Sequence, residues 1–450
     1  MSRSLAELTV PGIGEDCASP RARLLLVAFA CRPGFGSEPG VGWNRALLAA
    51  RDYDCYVLCD EHLNGAAIRR HLERHGRIAG LAFIFVPSGR LERFVRRLPG
   101  VCFAAYNLWQ RRAFRIARQL HERLHFDLTH QVNLCTFREP GYLWKLDVPF
   151  VWGPFGGTQE YPWRFLAEAG LSGAVSEGLR NLGNKVQLLF NLRMRRAANR
   201  AAALLTANST NQRDIERACR RKPTLMLEAG VLRVATSPRP HRKHHGPLRI
   251  LWSGDLRACK ALSLLIKALA KLPGDVPYEL QILGDGPLKS RWQRLARRMG
   301  VEARATWMGR LPHEEAIRQY NWSDLFVFTS LRDTSGTVVL EAMAAGVPVV
   351  CLDHQGMHDV VNDACGIKVP VTSTPEVIEQ LSRAIAGLAR DRIRLELLRE
   401  GALKRVREYS WAQQGEAMAA VYRRILADAG KVSRVCHDAS TSQIVTPTGT

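Results

Sequence analysis

Nothing in these 450 residues resembles the run of about 20 apolar residues that a membrane-spanning helix needs. That absence excludes helical membrane insertion as a reading of the hydropathy. The first residues also lack a basic-then-apolar leader pattern, so the expected location is the cytoplasm. The 11 cysteines are scattered, without the doubled Cys-x-x-Cys of a zinc site, and suit a reducing compartment rather than a disulfide scaffold. Cys55 and Cys59 read as core thiols. A dinucleotide fingerprint is missing too, because Gly34-Phe35-Gly36-Ser37-Glu38-Pro39 breaks the Gly-x-Gly-x-x-Gly pattern. Acids are the scarcest class relative to need: 42 Asp and Glu face 64 Lys and Arg, a net charge of +22. Charge of that sign invites polyanions, but no nucleic-acid motif accompanies it, and no nucleic-acid partner is expected.

What is present suits a soluble chain of two ordinary domains, with 46% apolar and 24% charged residues. Residues 1–20 read as a disordered lead and 431–450, rich in Ser and Thr, as a frayed tail. The charge is unevenly split: residues 1–245 hold 37 basic against 20 acidic side chains, residues 246–450 hold 27 against 22. In 90–124, nine arginines interleave with Phe94, Val95, Leu98, Phe103, Tyr106, Leu108 and Trp109. Two readings stand open for that stretch. It is either a basic amphipathic helix pair resting on anionic lipid, joined by Arg193-Met194-Arg195-Arg196, or a solvated face over core aromatics.

The densest signal runs from Phe326 to Val350. An apolar strand, Asp324 to Thr329, enters a polar loop with Asp333, Ser335 and Gly336. A helix then starts near Thr337, and Gly346-Val347-Pro348 stops it before a β-branched strand. Such a βαβ unit presents its loop where parallel sheets bind ligands, and the free N–H groups around Thr337 and Val338 suit a phosphate. Upstream, the strand Leu248–Trp252 ends in Ser253-Gly254-Asp255-Leu256-Arg257-Ala258-Cys259-Lys260, followed by a helical run from Leu262 to Leu272. The strand Tyr278–Leu283 ends in Gly284-Asp285-Gly286-Pro287, and Thr306-Trp307-Met308-Gly309-Arg310 follows as a further strand.

In the N-terminal half, the buried-type strand Arg23–Ala30 feeds the loop Pro33–Trp43, with Gly36, Ser37, Glu38, Gly40 and Gly42, and then a helix from about Asn44 to Ala50. Further strands are expected at Asp54–Leu58, Ala82–Val86, Asp127–Val132 and Ala202–Thr206. Strands alternating with helical stretches imply parallel sheets covered on both faces. His130-Gln131-Val132-Asn133 and the segment Val148–Thr158, with Gly156 and Gly157, follow strand ends on the cleft side. Residues 233–247, with a His-Arg-Lys-His-His run, read as a linker; the histidines read as solvated rather than metal-binding.

These motifs resemble the retaining family 4 glycosyltransferases of the GT-B fold, over roughly residues 22–427. Asp333, seven residues, then Glu341-Ala342-Met343-Ala344-Ala345-Gly346-Val347-Pro348-Val349-Val350 is similar to that family's donor signature, with Asp where the family has Glu. Lys260 matches its diphosphate lysine and Arg257 stands in for its arginine, which Asp255 displaces. The loop Gly36–Trp43 is similar to the family's glycine-rich loop across the cleft. Trp152-Gly153-Pro154-Phe155-Gly156-Gly157 resembles a subgroup associated with bacterial surface polysaccharides.

The resemblance implies two Rossmann-like domains facing a central cleft: an acceptor domain at 21–232, a linker at 233–247 and a donor domain at 248–408. A helix at 409–430 would cross back onto the first domain. It implies sugar transfer from a nucleotide-sugar to a glycan or lipid-linked acceptor, with retention. Asp333, Lys260, Arg257 and His130 would be catalytic; His130 as a satisfied core histidine stays equally open. Donor contacts would come from Gly254, Gly284, Gly309, Gly336, Thr337, Val338, Glu341, Gly40 and Gly42, and acceptor contacts from Gly36, Ser37, Glu38, Gly156 and Gly157. No Asp-x-Asp motif is present, so neither a divalent metal nor another cofactor is expected. The basic N-terminal half points to the inner membrane face. The competing expectation is a noncatalytic nucleotide-sugar-binding protein or membrane partner subunit.

Overall fold

The computed structural model describes residues 21–89, 92, 102–235 and 246–430. The lead, the tail, the histidine run of the linker and Phe94, Val95 and Leu98 lie outside the described residues.

The first half alternates as β1 (Arg23–Ala28), α1 (Ser37–Ala49), β2 (Asp54–Asp60), α2 (Ala66–His75), β3 (Leu81–Val86), α3 (Cys102–Leu124), β4 (Leu128–Asn133) and β5 (Phe150–Phe155). Then come α4 (Leu166–Phe190), α5 (Leu192–Arg200), β6 (Ala203–Thr206), α6 (Ser209–Cys219) and the short β7 (Thr224–Leu225). The second half runs β8 (Leu248–Ser253), α7 (Leu262–Leu269), β9 (Tyr278–Leu283), α8 (Lys289–Arg298), β10 (Ala305–Gly309), α9 (His313–Trp322) and β11 (Leu325–Phe328). It closes with α10 (Thr337–Ala344), β12 (Val349–Asp353), α11 (Gly356–Val360), β13 (Gly366–Pro370), α12 (Thr374–Arg390), α13 (Arg392–Arg407) and α14 (Trp411–Asp428).

Two parallel sheets result, ordered β3-β2-β1-β4-β5-β6-β7 and β10-β9-β8-β11-β12-β13. Both are doubly wound, with the order reversing beside β1 and β4 in one sheet and beside β8 and β11 in the other. Strands β1 and β11 are almost wholly apolar because helices cover both faces, while the equally buried central β4 carries Thr129, His130, Gln131 and Asn133. In β1, Leu25 and Val27 face Tyr106 and Trp109 of α3, while Leu24 and Leu26 share a core with Trp411, Tyr422 and Ile425 of α14. Helix α12 buries Val377, Leu381, Ile385 and Leu388, one apolar stripe at helical spacing, against the second sheet.

The last helix therefore belongs to the first domain's core although it follows the second domain in sequence. Its entry is paired to the outgoing connection: Val231 N–H donates to the Tyr409 carbonyl at 3.0 Å and Trp411 N–H to the Val231 carbonyl at 3.0 Å. Two adjacent strands of chain thus join the halves.

Several expectations need correction. A short strand not expected from the sequence, β7, pairs with β6 at the edge of the first sheet. Trp152 to Phe155 form strand β5, not a loop. Helix α1 begins at Ser37, well before Asn44, so Gly40 and Gly42 are helical. The lipid-facing reading of 102–124 fails: Tyr106 and Trp109 are buried, with ring centroids 4.9 and 4.8 Å from that of Phe29. The arginines of α3 line its outer face, which makes it an ordinary amphipathic helix. Met194 is likewise buried, and Arg193 is paired with Glu139. Cys55 and Cys59 are core thiols, as expected.

Candidate functional site

Strands β8 and β11 lie side by side, and the loops leaving their C-terminal ends meet at the switch point of the second sheet. Thr329 Oγ1 donates to the Lys260 carbonyl at 2.9 Å and Ser330 Oγ to the Cys259 carbonyl at 3.2 Å, tying the two loops together. This brings the Lys260 ammonium onto the Asp333 carboxylate as an ion pair, with the lysine nitrogen 5.3 Å from the Phe328 ring centroid. Burial alone would lower the lysine's pKa; the adjacent Asp333 charge outweighs it and holds the pKa raised. Lys260 is therefore a fixed cation at the cleft.

The shortened acid has a local explanation. Asp333 Oδ1 accepts from Gly336 N–H at 3.0 Å, closing a tight turn three residues long, while its own N–H donates to Gln355 Oε1 at 2.9 Å. Asp suits such a turn because its carboxylate reaches nearby backbone N–H groups. Gly336 then opens α10 in the left-handed region, φ +59°, and no side chain caps that helix start. The N–H groups of Thr337 and Val338 thus face the cleft end of an uncapped helix.

Just over one turn further in, Glu341 accepts from the Tyr320 hydroxyl at 3.0 Å, so the buried α9 tyrosine fixes the carboxylate. Asp255 is turned aside: its carboxylate pairs with Arg310 at 3.2 Å, which relieves the repulsion that an acid there would impose on a phosphate. Arg257 is exposed. Gly284 shows why glycine closes β9: at φ +125° a Cβ would stand 1.9 Å from the Gly254 carbonyl oxygen. Its N–H donates to the Gly309 carbonyl at 2.8 Å, so Gly254, Gly284 and Gly309 cluster at adjoining strand ends.

The first domain reaches across to the same loop. Gln159 Nε2 donates to Thr334 Oγ1 at 2.8 Å, Asn208 Nδ2 to the Thr334 carbonyl at 2.9 Å, and Gln355 Nε2 to the Glu160 carbonyl at 2.7 Å. Arg332 forms a two-bonded pair with Glu177, both contacts 2.9 Å. Gly156 packs against the Thr334 side chain, so its missing Cβ serves interdomain approach. Sequence reasoning missed Gln159, Asn208, Glu177 and Tyr320, since each is an ordinary residue on an unremarkable helix or turn and only the fold brings it to the loop.

Glu228 was missed as well. It is buried at the connection between the halves, hydrogen-bonded to Ser335, with Oε2 unpartnered among the described residues. Burial pushes its carboxyl up to about 7, helped by Glu38 and Asp333 nearby. Glu38 has its own pKa raised, chiefly by burial, and one oxygen accepting from Cys135 N–H at 3.0 Å. Three carboxylates thus converge where the halves meet.

His130 does not belong to the cleft. It is fully buried in β4, with Nε2 donating to the Gly153 carbonyl and Nδ1 facing the Tyr422 hydroxyl of α14. A carbonyl can only accept, so the ring is the Nε2–H tautomer and the tyrosine donates. Burial lowers its pKa to about 3, leaving it neutral and committed to the core. Gly40 and Gly42 are also structural: a Cβ at either would stand 2.1 Å from the carbonyl oxygen of Phe35 or Ala30. Gly36 and Ser37 are exposed at the start of α1, and Gly157 N–H is held by Gln159 Oε1 at 2.7 Å. Among the described residues no group of three His, Cys, Asp or Glu side chains is arranged to hold a metal.

Structures of known proteins share this architecture. Sucrose-phosphate synthase from Thermosynechococcus elongatus superposes with a TM-score of 0.64 at 16% identity, covering 91% of this chain and 100% of that one. Anabaena Alr3699/HepE in complex with UDP and glucose gives 0.57 at 18% identity, covering 90% and 100%. The lipopolysaccharide outer core galactosyltransferase WaaB gives 0.60 at 14%, covering 89% and 99%. With the two sheets above, these likenesses define the class: the fold is GT-B. Residues 234–405, the half that carries Lys260 and Asp333, match the family model described as Glycosyl transferases group 1.

Among curated proteins, the sulfoquinovosyl transferase SQD2 of Arabidopsis thaliana is 30% identical over 162 residues, 36% of this chain and 30% of that protein. The alpha-D-kanosaminyltransferase of Streptomyces kanamyceticus is 29% identical over 178 residues, 39% of this chain and 45% of that protein. The chain thus spans less than half the length of these relatives.

Proposed function

We propose that this protein is a retaining glycosyltransferase of family 4 that moves a sugar from a nucleotide-sugar donor to a glycan or lipid-linked acceptor in bacterial surface-polysaccharide or lipopolysaccharide synthesis. The observation that carries the reading is the Lys260–Asp333 pair at the β8/β11 switch point, beside the uncapped start of α10. The group 1 match over this half and the UDP-bound HepE neighbour support it.

In this reading the donor diphosphate lies against the Thr337 and Val338 N–H groups, with Lys260 and Arg257 supplying positive charge as the leaving group departs. Glu341, held by Tyr320, takes the ribose hydroxyls. Asp333 orients the donor sugar and exchanges its hold on Lys260 for the donor. The bond from the anomeric carbon to the phosphate oxygen breaks while the acceptor oxygen bonds the same face. The acceptor proton passes to the departing diphosphate. No divalent metal is needed, because the lysine, the arginine and the helix start supply its charge. The protein works in the cytoplasm, peripherally at the inner, anionic face of the cell membrane.

A second reading, a noncatalytic donor-binding protein or partner subunit, is favoured by one feature: both Asp333 oxygens are already engaged, by Lys260 and by Gly336. Thermal shift and donor hydrolysis across UDP-, GDP- and ADP-sugars, comparing wild type with Lys260→Ala and Glu341→Ala, separates the readings. Stabilisation and turnover by one donor, lost in both variants, supports the enzyme. Stabilisation without turnover, with or without any added glycan acceptor, supports the binding protein.

A further inference from the structure

Helix α4 is inside out. Its buried positions are polar: Asn181 exchanges hydrogen bonds with the Tyr161 backbone at 2.9 and 2.8 Å, and Asn184 donates to the Thr158 and Gln159 carbonyls at 3.2 Å each. Glu177 points inward to Arg332, and Glu168 to Lys267. The outward positions are apolar. Leu171, Val175, Leu179, Leu182, Val186 and Leu189 recur at helical spacing and all lie exposed, Leu171 at 91% and Leu179 at 65%. At 3.6 residues per turn they fall in an arc of about 80° and run about 27 Å along the helix. Phe190, 71% exposed, and Leu192 continue the stripe into α5.

This face is where the molecule's exposed apolar surface gathers. Of the 15 large hydrophobic side chains exposed among the described residues, nine lie between Trp163 and Leu192. Scattered exposed leucines need no explanation, but a contiguous stripe does. A soluble helix would place these residues inward and its asparagines outward.

The charge around the stripe identifies what covers it. Within 161–200 the two acids, Glu168 and Glu177, both face the second domain, whereas Arg164, Lys185, Arg196 and Arg200 are exposed. Lys185 lies 5.7 Å from the ring centroid of half-exposed Trp163, placing a cation and an amphipathic aromatic together at the edge of the stripe. Glu160, part-exposed and 3.6 Å from Lys185, is the acid at this edge, and Arg164, Arg196 and Arg200 outnumber it. An apolar stripe flanked by a net basic set, with Trp at its border, has the chemistry of a helix lying in the interface of an anionic bilayer.

We infer that the outer face of α4, from Trp163 to Leu192, is the surface by which this protein seats on anionic lipid. The inference deepens the membrane-face reading proposed above and rests on it for the nature of the acceptor, though not for the binding itself. The geometry links docking to the site. The polar side of the same helix holds the backbone of 158–161, from which Gln159 reaches the Asp333–Thr334 loop, and Glu177 holds Arg332. A lipid-linked acceptor would therefore approach the cleft from the side on which the helix lies.

The test is co-sedimentation of the full chain with vesicles of phosphatidylcholine alone or with phosphatidylglycerol, at low and at physiological salt. Light scattering would give the mass in solution, and nucleotide-sugar thermal shift would run in parallel. Wild type should bind the anionic vesicles and release as salt rises. Leu179→Asp with Val186→Asp should weaken binding at least tenfold, Lys185→Gln with Arg196→Gln should weaken it severalfold and flatten the salt dependence, and Arg115→Gln with Arg118→Gln on α3 should change it little. All variants should keep the wild-type melting temperature, which shows that loss reflects the surface rather than unfolding. Wild type that ignores anionic vesicles, or a stripe variant that binds as well as wild type, overturns the inference. So does a wild-type dimer that the stripe variant turns into a monomer, since a second copy would then cover the face. Failure here with donor stabilisation intact leaves the proposed transferase reading standing.

Discussion

The two halves of this molecule are built on one strand order, yet their switch points differ. In the second half the loops after β8 and β11 leave a fixed ammonium, an uncapped helix start and a positioned glutamate at the cleft. In the first half α1 also starts uncapped, but the ends of β1 and β4 beside it are tied together by their own side chains. Asn133, at the end of β4, accepts from Ala30 N–H at 3.2 Å and donates to the Ala30 carbonyl at 2.7 Å, while Glu38 holds Cys135 N–H at 3.0 Å. The same topology can thus present donors and charges to a ligand or spend them on its own backbone. Chemistry follows from which groups remain unsatisfied, not from the fold.

The sharpest way to break this comparison is at its two emblematic residues. Lys260→Ala should lower donor turnover by a factor on the order of 10² or more, a loss of about 3 kcal/mol of transition-state stabilisation. Its melting temperature should hardly fall, which steady-state kinetics beside calorimetry would show. His130→Ala should do the reverse. Removing a buried ring that satisfies Gly153 and Tyr422 should cost about 3 kcal/mol in a denaturant titration and leave KM for the donor unchanged. A His130 variant that folds normally but loses turnover would return that residue to the active site.

The next effect is set by pH. Glu228, raised from 4.5 to about 7 by burial, favours the folded state below pH 4.5, and that contribution is lost as pH rises to 7. His130, lowered from 6.5 to about 3, acts oppositely: its contribution is full above pH 6.5 and is lost as pH falls. Between about pH 4.5 and 6.5 the two slopes, each about 1.4 kcal/mol per unit, oppose one another. Glu228→Gln should leave the His130 slope exposed, so that stability climbs with pH across that window. Above pH 7 this variant should be more stable than wild type by about 2–3 kcal/mol. Urea midpoints measured from pH 4.5 to 8 would check both signs.

Much of this was legible in the sequence, and the pattern of success is physical. Runs such as Leu24-Leu25-Leu26-Val27 announce a strand buried on both faces, and Asp333 with Glu341 announce a loop and helix at a strand end. What escaped were residues whose role depends on contacts far along the chain. Tyr320 has no motif around it, and Gln159 and Asn208 act only because the other domain's loop comes to rest on them. The basic aromatic stretch misled because alternating Arg and aromatic residues suit a core-facing helix as well as a lipid-facing one. Helix α4, whose apolar face does point outward, carries glycine and asparagine that blur its periodicity.

Two smaller effects sharpen the account of the second half. Tyr320→Phe removes the hydroxyl that fixes Glu341 and should weaken donor binding by roughly 1 kcal/mol, about fivefold in Kd by calorimetric titration, with little change in stability. Ala261 sits in the left-handed region at φ +45°, which a residue with a Cβ adopts only under strain. Ala261→Gly should relieve that strain and raise stability by about 0.5 kcal/mol, the lost Cβ contact offsetting part of the gain.

The most direct test of the central claim is amide hydrogen exchange on the full chain, with and without the nucleotide-sugar that best stabilises it. The account predicts new protection in peptides covering 253–261 and 329–341, with 128–135 little changed because its amides are already held. Protection confined to the first half would contradict it, and so would its absence from 329–341 at saturating donor.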